Sequence, residues 1–356
     1  MNYRERILAA INHQPLDRFP VDIWCVEEVR ERLLDYCGTQ EWVHVLDALE
    51  IDGIISLRPP YQGPALPDLG EELRQDEWGM VYKRQEYPTG VYWEQVGYPL
   101  AQAKSIADID AYSWPDPDWY DYSALPDLCA LYENRAIEIG YTAIFYYHNK
   151  LRGLELSLMD LALRPKFSHH LIRRIADFFL AYHERCFTAA QGLMHITQVT
   201  DDFGSQKGLL ISKEMFNEFY RPWIQRAIDQ AKRYGLKVFH HDDGAIYPLI
   251  PDLIEMGIDV LNPIQWRCPG MERETLSREF AGKVCFHGGV DNQYTLPFSS
   301  PDQVRQEVAE NICLLGRTGT GYILAPCHNI QANTPLENIL AMYQAPRTLE
   351  EARQSL

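Results

Sequence analysis

Residues 239–245 read FHHDDGA. Two imidazoles and two carboxylates stand there between an apolar run and a glycine, and four such side chains cannot all enter a core without partners. Imidazole nitrogen and carboxylate oxygen are zinc ligands, and both can serve as proton donor or acceptor in general acid–base chemistry. If the segment ends a β-strand, alternation sends His241 and Asp243 to one side and leaves His240 and Asp242 to the other face or the loop. A second stretch, APCHNIQ, offers Cys327 and His328. His-x-Asp from one strand end with Cys327 or His328 from another makes a three-ligand zinc site with an open position, suited to binding a thiolate or polarising an oxygen. Cys268, in WRCPG, falls in a loop and is given no role.

Those residues need elements to bring them together. Residues 2–13 have the pattern of an amphipathic helix, and DRFPVDIW follows as a first buried strand. Helical sequence continues to about Glu50, then IDGIISLRPP makes a second strand ending in a loop. Residues 76–98 alternate aromatic and polar side chains around a Pro-Thr-Gly turn, which predicts a β-hairpin excursion. From Tyr141 short apolar strands alternate with helices. The strands are expected at YTAIFYYHN, MHITQVTDD, LKVFHHDD, DVLNPIQ, KVCFHGGVD and GYILAPCHN. Such alternation implies parallel βαβ units, and with the two N-terminal units it predicts a single (β/α)8 TIM barrel over residues 1–356, in preference to an open doubly wound sheet.

In such a barrel the active site lies at the C-terminal ends of the strands. The expected strands end on His148 and Asn149, Asp201 and Asp202, His240 to Asp243, Asn262 and Gln265, His287 and Asp291, and Cys327 to Asn329. Plainer roles are available to each: Asp291 as a helix cap or turn, His148 as a hydrogen-bonded core histidine, Asp202 as an Asx turn before FGSQ.

Fifty acidic against 33 basic side chains give a formal charge of −17, which argues against a nucleic-acid partner. The first residues, charged and soon broken by proline, are not those of a secretory signal. No apolar run approaches the roughly 18 residues of a membrane span. Eight cysteines lie scattered without a CxxC pair, as expected of reduced thiols in a cytoplasmic protein.

RERILAAINHQPLDRFPVDIW, the DEWG hairpin, YPLA, WPDPD, HHDDGAIYPLIPDLIEMGIDVLNPIQ, FHGGVD and HNIQANTPLENILAMYQ together resemble the uroporphyrinogen decarboxylase superfamily, over nearly the whole chain. The resemblance implies a (β/α)8 barrel and one of two chemistries. Authentic uroporphyrinogen decarboxylase needs no metal or cofactor. Corrinoid-dependent methyltransferases of the superfamily use zinc to activate a thiol such as coenzyme M or to handle a methylated substrate. The decarboxylase motifs are absent where they should stand: DIWCVEEVRERL replaces the arginine stretch that binds substrate carboxylates, and ISLRPPYQG lacks the aspartate that gathers pyrrole N–H groups. A substrate with eight carboxylates needs clustered cations, and Arg58 alone stands near.

The methyltransferase branch carries HxCG at a late strand end and a later cysteine near NTPLEN. Here His241-x-Asp243-Gly244 fits the first with aspartate in place of cysteine. At the second position both Cys327 and His328 are at hand, and counting back from Thr-Pro puts His328 in register. Aspartate is a harder ligand than thiolate and leaves zinc a stronger Lewis acid, which favours methyl transfer from an oxygen or nitrogen over thiol activation.

The resulting expectation is a cytoplasmic methyltransferase that moves a methyl group between a small molecule and a corrinoid on a separate partner protein. Zinc would be held by His241, Asp243 and His328 or Cys327. Asp201 or Asp202 would act as general base or substrate anchor, with His148 at the same rim and Gln265 orienting a polar group. A homodimer is expected only by analogy with the superfamily's decarboxylases. Two rival expectations stand beside it: a metal-free decarboxylase or lyase of a non-porphyrin carboxylate, and a barrel that binds ligand or corrinoid protein without turnover.

Overall fold

The computed structural model describes residues 1–87 and 90–356. Among the described residues ten strands form two sheets. Seven are parallel: β1 (Ile54–Leu57), β5 (Ala136–Ala143), β6 (Ile196–Thr200), β7 (Lys237–His241), β8 (Val260–Asn262), β9 (Cys285–Val290) and β10 (Tyr322–Pro326). They run in the order β1-β5-β6-β7-β8-β9-β10, with helices between them. The gap between the last strand and the first is closed by residues 20–22. Val21 bridges Leu324 in parallel, and the Val21 carbonyl accepts from Gly53 N–H. The expected barrel is therefore present, with its first strand reduced to this short bridge.

The other sheet is antiparallel: β2 (Leu73–Gln75), β3 (Val81–Tyr87) and β4 (Gly90–Gly97). It is the expected hairpin excursion with one further short strand, and Pro88 and Thr89 of the expected turn lie outside the described residues. Its root is fixed by Trp78, buried against Tyr147, Phe178 and Phe179.

The strand alternation sorts the barrel lumen into layers. Ile54, Ala136, Ile196, Phe239, Val260, Cys285 and Ile323 pack together with Ile7, Ala10 and Ile11 of the first helix, Tyr3–Ile11, which stoppers the N-terminal end. Two residues further along six of the seven strands, the same inward face turns polar: Ser56, Glu138, Gln198, His241, Asn262 and His287; β10 carries Ala325 there. A dry floor below a polar layer is what separates a barrel's core from its site.

One expected element differs. Residues 141–149 were expected to form a strand, but the strand is Ala136–Ala143 and a helix, Ile144–Arg152, begins at once. His148 and Asn149 therefore stand on a helix and not at a strand end. The helix has no local cap, since its N-cap residue is Ala143. Its first free N–H groups, at Phe145 and Tyr146, are taken by the Asp201 carboxylate at 3.0 and 2.7 Å. A cap supplied from the next strand, 56 residues away, leaves no mark in the local sequence.

Candidate functional site

The C-terminal rim is built around the ends of β7 and β10. Lys237–His241 alternates, so His240 turns outward, fully buried, with Nδ1 on the Val199 carbonyl at 2.7 Å. Asp242 is also fully buried and accepts from the N–H groups of Phe203 and Gly204. Both tie β7 and the loop after it to β6 and the loop that follows β6. His241 and Asp243 face the rim, as alternation requires.

The loops that carry them are locked by close approach. Gly244 has φ +87°, and a Cβ there would lie 2.5 Å from the Ser205 carbonyl oxygen; a Cβ on Gly204 would lie 2.0 Å from that of Asp243. Only glycine fits at either place. The contact sets Asp202 beside Asp243, whose N–H points at Asp202 Oδ1 over 3.4 Å.

His241, Asp243 and His328 each present a ligand atom, and the three atoms lie within 4.8 Å of one another. His241 Nε2 is 3.9 Å from Asp243 Oδ1 and 3.8 Å from Asp202 Oδ1; His328 Nε2 is 3.7 Å from Asp243 Oδ2. Gln265 holds Asp243: its Nε2 donates to Oδ1 at 2.8 Å while its Oε1 accepts from Gly244 N–H at 2.8 Å. Burial raises the Asp202 carboxyl above its ordinary range, with Asp243 adding to the rise and His241 opposing it. Burial lowers His328 against the pull of Asp243.

Behind His241 a chain of hydrogen bonds crosses the polar layer. Asp22 Oδ2 meets His287 Nε2 at 2.9 Å, His287 Nδ1 meets Asn262 Nδ2 at 2.8 Å, and Asn262 Oδ1 meets His241 Nδ1 at 2.6 Å. Read from the carboxylate, His287 donates from Nε2, so its Nδ1 accepts from the amide. The amide oxygen then takes the Nδ1 proton of His241. That leaves a bare lone pair on His241 Nε2, aimed at Asp243. This is the arrangement in which imidazole binds a metal. His328 is set differently: its Nδ1 accepts the Asn329 N–H at 2.7 Å, so its proton sits on Nε2 and points toward Asp243. The donor set fits zinc at His241 and Asp243 as they stand, and at His328 after its ring gives up the Asn329 contact. Trp24 lies under the cluster, its ring 5.5 Å from His241 and 6.4 Å from His328.

Three expected site residues are not brought to this cluster. Cys327 is buried, its Sγ directed to the Ile264 carbonyl at 3.1 Å, and burial pushes its thiol well up. It stands next to His328, just past the end of β10, and faces the other way. Asp201 is the helix cap already described. His148 is fully buried, paired with the Tyr220 hydroxyl at 2.8 Å and held down to about 3 by burial and the nearby Arg152. It is the core histidine of the plainer alternative.

Three residues not anticipated stand in the polar layer: Asp22, Trp24 and Glu138. The first two end the first strand position, where the strand-end rule used for the others would have found them. Glu138 was hidden by the misplaced strand.

The family model described as uroporphyrinogen decarboxylase (URO-D) matches residues 141–349, and the chain belongs to that family. A uroporphyrinogen decarboxylase from an Anaeromyxobacter species is 24% identical over 366 residues, covering 96% of this chain and 97% of the relative. One from Xanthomonas axonopodis is 25% identical over 380 residues, covering 98% and 99%. Among solved structures, a methyltransferase from Methanosarcina mazei matches with a TM-score of 0.63 at 16% identity, covering 99% of each chain. It shares the fold. Among the described residues no helix is long and apolar enough to cross a membrane.

Proposed function

We propose that this chain, acting as one barrel unit in the cytoplasm, is a zinc-assisted methyltransferase that moves a methyl group between a small molecule and a corrinoid carried on a partner protein. The observation that carries the reading is the His241–Asp243–His328 group at the rim, with the His241 lone pair prepared by Asn262 and His287. The likeness in fold to the Methanosarcina methyltransferase supports the same choice. Family membership makes an enzyme the expected kind of protein.

His241, Asp243 and His328 would hold the metal. When bound, zinc would supply Lewis acidity to a substrate heteroatom. A methyl group that leaves oxygen or nitrogen leaves both bonding electrons behind, so the site must offset negative charge or deliver a proton there. Asp202, beside His241 and raised by burial, is placed to carry that proton. Gln265 keeps Asp243 aimed, and the Trp24 ring packs against His241.

One observation favours a second reading. The Asn329 N–H fixes the His328 proton on Nε2, facing Asp243, which suits metal-free acid–base chemistry on a non-porphyrin carboxylate. The test uses protein with and without added zinc, free reduced cobalamin as acceptor, and a panel of O- and N-methylated small acids. Methylcobalamin formed by wild type and not by His241→Ala supports methyl transfer. Decarboxylated product, formed without corrinoid by metal-stripped protein, contradicts it.

A further inference from the structure

A cavity of about 70 Å³ opens between the ends of β1, β5 and β6, lined by Ser56, Arg58, Glu138, Tyr141, Tyr182 and Gln198. Glu138 is its floor and is 4% exposed. Its Oε1 accepts from Ser56 Oγ at 2.9 Å and from Gln198 Nε2 at 3.0 Å. Among the described residues Oε2 has no hydrogen-bond partner, and neither does the Arg58 guanidinium, which is exposed at the cavity mouth. The register between β5 and β6 shifts between Glu138 and Tyr141, and this irregularity lets both side chains line the same cavity.

The geometry points to a carboxylate-binding subsite: we infer that the methyl-bearing substrate is a small carboxylate whose anionic end lies between the Arg58 guanidinium and Glu138 Oε2, the latter donating as a carboxylic acid. This deepens the proposed function, since it rests on the reacting heteroatom sitting at the His241–Asp243–His328 group. Tyr141, which lines the cavity with Arg58, is close enough to feel the charges of both Arg58 and Asp202.

Two carboxyl groups can share this space only with a proton between them. Burial raises Glu138 to about 7, with Asp22 adding to the rise; the bonds from Ser56 and Gln198 and the charge of Arg58 oppose it. Tyr141 and Tyr182, the other titratable groups facing the cavity, are themselves raised by burial and stay neutral. Because Oε1 takes both fixed bonds, the proton belongs on Oε2, toward the ligand. An incoming carboxylate raises Glu138 further, so binding takes up a proton at alkaline pH.

Butyrate and its uncharged analogue butyramide serve as probes, followed by ligand-observed NMR on wild type, Arg58→Gln, Glu138→Gln and His241→Ala proteins. Butyrate is expected to bind wild type in preference to butyramide, with affinity steady from about pH 6, above the ordinary carboxyl range, to pH 7 and falling about tenfold per unit above it. Arg58→Gln should weaken butyrate about tenfold or more. Glu138→Gln, whose amide still donates, should keep binding and lose the pH dependence. His241→Ala should bind butyrate as wild type does. Equal binding of the two probes, indifference to Arg58→Gln, or loss of binding in His241→Ala would overturn the subsite. If those results came while methyl transfer persisted, this inference alone would fall. Butyrate binding as described without methyl transfer to corrinoid would leave the subsite and remove the proposed function.

Discussion

The Nδ1 of His241 lies 2.6 Å from Oδ1 of Asn262, and the same amide donates to His287. One buried side chain thereby sets the tautomer of one histidine from that of another, ending at Asp22. Asn262→Leu keeps the volume and removes both bonds. Its expected effect is a zinc affinity weaker by about 10- to 100-fold, the range for loss of a group that orients a metal-bound histidine. Competition against a chromophoric chelator measures it, and unchanged affinity would show that the chain of bonds plays no part in metal binding.

Cys327 and His328 separate cleanly by orientation. Cys327→Ala should leave zinc affinity within about twofold of wild type. His328→Ala should weaken it by at least the roughly tenfold seen for lost supporting groups. The reverse pattern would place the thiol in the site.

Asp201 ends its strand at the rim but accepts two N–H bonds at the start of the helix Ile144–Arg152. Asp201→Ala is therefore expected to lower stability by about 2 kcal/mol, the upper end for a lost helix cap, with zinc stoichiometry unchanged. Urea unfolding beside metal analysis tests this; a stable variant without metal would move Asp201 into the site.

His148 titrates at about 3 in the folded protein, against about 6.5 when unfolded. Between those values the unfolded chain binds the extra proton, so this residue weakens the fold as pH falls through that window and has no such effect above it. His148→Phe loses the Tyr220 bond, about 1 kcal/mol at pH 7. At pH 4.5 the variant should gain on wild type by about 2 to 3 kcal/mol relative to pH 7, from the roughly 1.4 kcal/mol per unit of one proton. Parallel ΔΔG values at the two pH values would contradict the buried neutral histidine.

The late strands were legible because each is a short apolar run with a chemical residue at its end. LKVFHHDD is such a run, and its alternation correctly sent His241 and Asp243 to the rim and His240 and Asp242 behind it. Strand β5 was not legible for two reasons. Glu138 and Gly140, with φ +94°, interrupt its apolar pattern, so the strand seemed to begin at Tyr141. The helix that follows draws its cap from Asp201, a residue whose contact only the fold creates. The same limit hid the lumen's polar layer: Asn262 and His287 were legible only as strand ends, Asp22 and Glu138 not at all, and the four acquire meaning only when closure of the barrel sets them side by side. Cys327 and His328 lie just past β10, where the bend turns the thiol to the Ile264 carbonyl and leaves the imidazole at the rim, a difference in direction that the sequence does not carry.

The central claim is that His241, Asp243 and His328 hold a metal. Elemental analysis of untagged protein, purified without chelator and compared with His241→Ala, tests it most directly. About one zinc per chain in wild type, lost in the variant while the fold persists by circular dichroism, is the predicted result. No zinc in wild type after zinc is added back, or an equal amount in the variant, would contradict it.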